Sequence, residues 1–118
     1  MSLKFYNYEI LVLKKLFEYC LKSKFSSFDE FMKYFFHIQR DINQSGEYLF
    51  LKHSNNENEN NMELCNYTIV LESEDLKNGA EFIAWIGKNS ILIEGYSFED
   101  KWIKPNSKVI KIGVKKKT

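Results

Sequence analysis

The chain has 118 residues, of which 44% are hydrophobic and 16% aromatic, and its 17 Lys and Arg against 16 Asp and Glu give a net charge of +1. This length fits one domain that can bury a core, so we predict a single folded domain over residues 1–118 and exclude a disordered chain. The near-neutral charge disfavours a general binder of nucleic acid or of anionic membranes, and no apolar run approaches the ~20 residues that span a bilayer.

Nothing at the N-terminus indicates a targeting segment. No basic stretch followed by an apolar one begins the chain, so we predict a cytoplasmic protein without a secretory signal. Cys20 and Cys65 are too few for a disulfide framework. In a cytosol we expect both to be reduced thiols, each on the apolar face of its own element.

Two helices are predicted within residues 1–45, the helical part of the domain. Apolar side chains in the range Tyr6–Leu21 recur every three or four positions, as on one face of a helix. A second helix is predicted to begin at Ser27, because Ser27 and Glu30 have the spacing of a capping box. Its apolar positions continue at helical spacing to Ile42, and the following Gln-Ser-Gly segment provides the stop.

After Gly46 the hydrophobic pattern changes from helical spacing to alternation, so residues 46–114 are predicted to form a sheet. The predicted strands lie at 47–53, 64–72, 80–86, 91–98 and 108–114. Residues 54–62 are rich in Asn and Glu and are predicted to form a flexible polar loop, and residues 115–118 a basic tail. The expected fold class is α+β, with two N-terminal helices packed on one face of a mainly antiparallel sheet of about five strands.

Charge is distributed unevenly along the chain. Residues 55–100 hold ten acidic and two basic side chains, a net charge of −8, whereas residues 101–118 hold seven lysines and no acid, a net charge of +7. One interpretation is that charged edges and loops keep the sheet solvated and block edge pairing. The other is an acidic surface that attracts and binds a basic protein partner.

The segment Glu94–Trp102 combines Tyr and Trp side chains with charge, which is typical of an anchor for a protein partner. The alternative is that Trp102 closes the open end of the sheet over the helices. Gly95, inside a predicted strand, indicates a bulge or a close approach to the backbone. The candidate partner-binding residues are Glu72, Glu74, Asp75, Glu94, Tyr96, Glu99, Asp100 and Trp102.

RNA binding is an alternative, because aromatic side chains on strands can stack on bases. The aromatic residues on predicted strands are Tyr48, Phe50, Tyr67, Trp85, Tyr96 and Phe98. No Lys/Arg-Gly-Phe-type RNA-binding signature accompanies them, and Arg40 is the one arginine among the basic residues, so nucleic acid is disfavoured. A homodimer formed through a sheet edge is compatible with every interpretation.

Catalytic and metal motifs are missing from the sequence. It has no glycine-rich phosphate loop, no Gly-x-Ser-x-Gly elbow and no His-Glu-x-x-His. His37 and His53 do not have metal-ligand spacing with the cysteines. We therefore predict no catalytic residue, no metal site and no cofactor, and a small enzyme whose site combines distant residues stays an alternative.

In size and layout the chain resembles the small immunity proteins that bacteria pair with secreted or contact-delivered toxins. The resemblance rests on the Lys- and Asn-rich composition, the acidic block Glu57–Asp100 and the segment Glu94–Trp102, and it covers the whole chain as a layout. It implies a single cytoplasmic α+β domain without catalytic activity. Such a protein would neutralise a cognate toxin by covering its active site, and an acidic surface would bind a basic toxin domain.

Overall fold

A computed structural model describes residues 4–54 and 61–117. The chain folds as α+β, with helices α1 (Asn7–Leu16) and α2 (Phe28–Tyr34) followed by an antiparallel sheet. A π-helical turn, Phe17–Leu21, continues α1. The strands are β1 (His37–Ile42), β2 (Gly46–Lys52), β3 (Glu63–Leu64), β4 (Tyr67–Ser73), β5 (Leu76–Ile86), β6 (Ser90–Ser97) and β7 (Val109–Lys116).

The strands lie side by side in the order β1-β2-β6-β5-β4-β7, and short β3 pairs with β5 beside β4. The sheet therefore has seven strands, and the expectation of about five is too low. The extra strands are β1 and β3. The lysines predicted as a tail at 115 and 116 belong to β7. The loop predicted at 54–62 falls largely on residues 55–60, outside the described residues.

The prediction that the second helix reaches Ile42 is wrong, because α2 ends at Tyr34. Residues 37–42 form β1, which pairs antiparallel with β2 through Gln39 opposite Phe50 and Arg40 opposite Leu49. Ile38 and Ile42 fit a helical spacing as well as an alternating one. The alternation was hidden because the inward position between them is Arg40, a charged residue.

The helix start at Ser27 is confirmed. Its hydroxyl oxygen accepts a hydrogen bond from the backbone N–H of Glu30 at 3.1 Å. The Glu30 carboxylate does not accept from the backbone N–H of Ser27, as a capping box requires. It accepts from the backbone N–H and the hydroxyl of Ser26 instead.

Strand β4 begins later than predicted because the chain bulges after β3. Leu64 pairs with Trp85 and Ile69 with Phe82. The chain therefore advances five residues from Leu64 to Ile69 while β5 advances only three. Cys65 lies in this bulge and still donates its backbone N–H to the carbonyl of Ala84 at 2.8 Å.

The core lies between α1 and one face of the sheet. Its members include Tyr8, Val12, Leu13 and Leu16 from α1 and Leu49, Leu51, Ile69, Leu71, Phe82, Ile91 and Ile93 from the strands, each at most 3% exposed. Helix α2 contributes Phe31, whose ring contacts are with Phe17, Phe25, Phe28 and Phe35. The expected packing of a helix on the sheet is thus seen for α1. The aromatic rings that contact Phe31 of α2 all come from residues 17–35, before the first strand.

Candidate functional site: the outer face of the sheet

The two faces of the sheet differ in what covers them. The face under α1 carries the buried side chains, and no described helix covers the opposite one, which we call the outer face. One row of directly paired residues crosses five strands on the outer face: Gln39, Phe50, Leu92, Trp85 and Leu64. Four of these five are apolar, and each of the four is half-buried or exposed.

A second row on the outer face runs Asp41, Tyr48, Glu94 and Ile83. Tyr48, in the middle of this row, is 48% exposed. A third row contains Tyr96, Glu81 and Val70. The outer face of an antiparallel sheet is ordinarily polar when it is solvated, so this run of aromatic and aliphatic side chains is unusual for a free surface.

Ion pairing on the outer face is uneven. The Glu81 carboxylate accepts from Lys115 Nζ at 2.8 Å and from the Tyr96 hydroxyl at 3.0 Å. Burial of Tyr96, together with this bond to Glu81, raises the pKa of the Tyr96 hydroxyl. Within residues 4–54 and 61–117, Asp41 and Glu94 have no ion pair and no side-chain hydrogen bond. Their negative charges are therefore uncompensated.

The candidate partner-binding residues fall into separate places. Glu94 and Tyr96 lie on the outer face, and Glu72 lies exposed on β4 opposite Lys111 of β7. Phe98, just beyond β6, is 61% exposed and packs edge-on against Tyr96 with ring centroids 5.7 Å apart. This pair extends the outer face past the end of its strands.

Four candidate acids share one end of the sheet, where their carboxylates hold loops together. Glu74 accepts from the backbone N–H of Lys108 at 3.1 Å, and Asp75 from that of Lys104 at 2.9 Å. Glu99 accepts from the backbone N–H of Asn78 at 2.6 Å, and Asp100 from the Gln44 side chain at 2.7 Å. The nearby Ser107 hydroxyl and the backbone N–H of Lys104 lower the pKa of Asp75. These carboxylates are engaged within the chain and act as loop caps.

Trp102 lies on the face under α1, away from Glu94 and Tyr96. Its ring packs edge-on against Tyr8 and Phe82, with centroids 6.3 and 5.6 Å away. Its indole N–H points into the fold, 3.2 Å from Glu47 Oε1 and 3.3 Å from the Tyr8 hydroxyl. This geometry is that of the alternative in which Trp102 closes the end of the sheet. Gly95 makes the close approach expected of it, because a Cβ there would lie 2.8 Å from Trp102 and 2.6 Å from Phe82.

Sequence reasoning missed a buried ionic cluster beside Trp102. Arg40 donates to both carboxylate oxygens of Glu9, at 2.7 and 2.5 Å, and lies 3.6 Å from Glu47 Oε2. The hydrogen bonds to Glu9 raise the pKa of Arg40. Tyr8 donates to Glu47, and burial raises the pKa of Glu47 to about 8.

The cluster is closed to substrates. Its three ionisable side chains, Arg40, Glu9 and Glu47, are at most 8% exposed, and the cavity beside it measures about 10 Å³. The lone arginine of the chain was the one available signal, because Arg is the residue that most often forms buried ion pairs.

Cys20 and Cys65 form a disulfide, with Cα atoms 6.4 Å apart, so the prediction of reduced thiols is wrong. The bond joins the π-helical turn to the bulge before β4. The two cysteines line an open groove that also contains Tyr19, Lys24 and Tyr67 and, among described residues, no histidine. His53 lies elsewhere, stacked on Tyr34 with its Nδ1 2.8 Å from that residue's carbonyl oxygen.

Among the residues that the structure describes, no group of three or more His, Cys, Asp or Glu side chains has the arrangement of a metal site. No helix in the same residues is both long and apolar enough to cross a membrane. Comparison with known proteins finds no matching family model, no matching curated protein and no matching solved structure.

Proposed function

We propose that this protein is a non-catalytic protein-binding module, and most concretely a cytoplasmic immunity protein that neutralises a cognate toxin by covering its active site. The observation that supports the proposal is the apolar row on the outer face, from Phe50 through Leu92 and Trp85 to Leu64. Contiguous exposed apolar surface of this kind marks a protein–protein interaction site. Aromatic side chains such as Trp85 are the residues that most often dominate binding energy.

The structure changes which residues would bind. Trp102 and the loop acids are used inside the chain, so the proposed interface consists of the outer face with Tyr96 and Glu94 at its edge. Trp85 takes the anchor role that the sequence assigned to Trp102, since it lies half-buried on the outer face. A half-buried aromatic residue adds contact area on binding without unfolding anything.

RNA binding is the second candidate, because Tyr48, Phe50, Trp85 and Tyr96 lie together on the outer face. Such a surface could stack on unpaired bases. The uncompensated carboxylates among these rings oppose that function, since they repel phosphate groups. Tyr67, another of the six aromatic residues on predicted strands, is not part of this surface, because its ring packs 5.2 Å from that of Tyr19.

The proposal predicts that the reading frame beside this one encodes a toxin-like domain, and that domain is the partner used in the test. Isothermal titration calorimetry with the purified pair should give a Kd that rises by about 30-fold or more for Trp85→Ala, the effect of losing a buried aromatic anchor. Tyr19→Ala is the control, because Tyr19 is an exposed aromatic residue on the helical side, away from the outer face. Equal loss in both variants, or no toxin-like domain in the neighbouring reading frame, would contradict the proposal.

RNA is tested in parallel with a labelled single-stranded oligonucleotide and fluorescence anisotropy. Binding that weakens between about 0.05 and 0.2 M salt and disappears when Lys115, Lys116 and Lys117 are replaced by Gln would favour the RNA candidate. The protein-binding proposal predicts no such binding.

A further inference from the structure

We infer that the β1 end of the outer face receives a lysine or arginine side chain of the partner protein, held over Tyr48 between Asp41 and Glu94. This inference rests on the proposed function and adds the chemistry of the partner. Three neighbouring strands place the three side chains in one row, Asp41 opposite Tyr48 and Tyr48 opposite Glu94. Strands lie about 4.8 Å apart, so the two acids stand about 10 Å apart with the phenol ring between them.

The charges of this site call for a cation from outside. The carboxylate of Glu81 is engaged with Lys115, and the four loop acids described above are bonded within the chain. Asp41 and Glu94 have no such partner in the described residues. Arg40 precedes Asp41 in β1 but does not neutralise the charge of either acid. Its guanidinium is turned to the opposite face of the sheet and is bonded to Glu9. The negative charge is thus left facing solvent beside an apolar surface.

The shape of the site suits a long basic side chain. An open groove of about 540 Å³ is lined by Gln39, Asp41, Tyr48, Phe50 and Leu92 together with Arg40. Its floor is aromatic and aliphatic, which fits the methylene stem of Lys or Arg. Asp41 is the acid in its lining, and Glu94 lies beside the groove, paired with Tyr48 across the neighbouring strand. A cation over a Tyr ring gains a cation–π interaction, and a neighbouring carboxylate adds a charge-assisted hydrogen bond.

A cation is already seen over a ring on the same face. Lys52 Nζ lies 4.7 Å from the centroid of Phe50, two positions along β2 from Tyr48. This contact shows that ring and cation are compatible with the local strand geometry. The Tyr48 ring differs in having a carboxylate on either side, which favours a cation from a partner over an apolar or anionic group.

The probe is a dodecapeptide that alternates Arg and Ser, with a Glu-Ser peptide of the same length as its counterpart. Binding is measured by fluorescence anisotropy at low salt. We expect the Arg peptide to bind and the Glu peptide not to bind. Asp41→Asn with Glu94→Gln should weaken binding at least about fivefold and flatten its salt dependence, since two opposing charges are removed. Tyr48→Leu should weaken it by about two- to fivefold through loss of the cation–π contact.

The control variant carries Glu18→Gln and Asp29→Asn, which change the net charge equally on the helices. These acids are paired with Lys15 and Lys33, and neither lies on the outer face. If the control weakens binding as much as the outer-face pair, the effect is one of net charge and the inference is overturned. Chemical unfolding of both double variants checks that any loss of binding is not a loss of folding.

Repeating the variants with the toxin-like partner separates this inference from the proposed function. Loss of partner binding in Trp85→Ala but not in the Asp41 and Glu94 double variant leaves the proposed function standing and overturns the cation site. Loss in both supports the two together. Binding of the oligonucleotide or of the Glu peptide at this face also contradicts the inference.

Discussion

Trp102 and Glu47, 55 positions apart in the chain, are joined by a hydrogen bond from the indole N–H to Oε1 across 3.2 Å. The contact ties the loop before β7 to the second strand, and Tyr8 of α1 donates to the same carboxylate. A carboxyl group in this position is held away from water by the helix, the sheet and the indole ring. Its protonation is therefore linked to folding.

The first prediction concerns Glu47 and pH. Burial and the nearby Glu9 raise the pKa of Glu47 from 4.5 to about 8, so between these values the folded protein holds a proton that the unfolded chain releases. Rising pH then favours unfolding, at up to about 1.4 kcal/mol per pH unit, and the effect levels off above the folded pKa. Glu47→Gln keeps the shape and removes the titration.

Urea unfolding at intervals from pH 5 to pH 9 checks this prediction. The difference in unfolding free energy between Glu47→Gln and the wild type should shift steadily in favour of the variant up to about pH 8 and then stay constant. Glu63→Gln, an exposed acid on β3, is the control and should show no such trend. Parallel curves for Glu47→Gln and the wild type would mean that Glu47 is ionised in the fold.

The second prediction concerns the buried pair of Arg40 and Glu9. Arg40→Leu leaves the Glu9 carboxylate buried without its cation, which typically costs 3–5 kcal/mol, so we expect a loss of about that size in urea unfolding. Adding Glu9→Leu removes the stranded charge and should recover part of the loss. A double variant less stable than Arg40→Leu alone would contradict this explanation.

The third prediction concerns Gly95, where Phe82 and Trp102 pack directly on the backbone. Gly95→Ala would place a methyl group 2.6 Å from the Phe82 ring, so one of the rings must move. Overpacking of this kind costs about 1–3 kcal/mol of unfolding free energy. Gly113→Ala is the matched control in a strand, because a Cβ there meets nothing within 4 Å. Equal stability of the two variants in thermal or urea unfolding would show that the rings yield freely.

Sequence patterns predicted most of the elements but not the extent of α2. Alternation predicted the positions of β2, β6 and β7, and helical spacing predicted α1 with its π-helical continuation. The failure at residues 37–42 has a physical cause in Arg40. An inward-facing charge breaks the alternating pattern unless its partner is known, and Glu9 lies 31 positions earlier in the chain.

The outer face could be predicted only in part. The sequence identified Tyr48, Phe50, Trp85 and Tyr96 as strand aromatics, but a residue's face is decided by register, which composition does not specify. The role of each acidic residue could not be predicted either. Asp75 caps a loop and Glu94 does not, because in the described part of the chain only Asp75 of the two lies near a backbone N–H group, which comes from a distant part of the chain.

The last prediction concerns the disulfide between Cys20 and Cys65, which spans 45 positions. Closing a loop of this length restricts the unfolded chain and stabilises the fold by about 4 kcal/mol at most. Replacing both cysteines by Ser should lower the urea unfolding free energy by up to that amount, and the wild type treated with dithiothreitol should match the double variant. We expect both to stay folded, because Cys65 is the one buried core residue that takes part in the bond, and the other core side chains are unchanged. This matters for the proposed cytoplasmic role, since thiols are kept reduced there. A reduced protein that unfolds, or loses its binding to the toxin-like partner, would be incompatible with action in that compartment, and a double variant as stable as the oxidised wild type would show that the bond does not stabilise the fold.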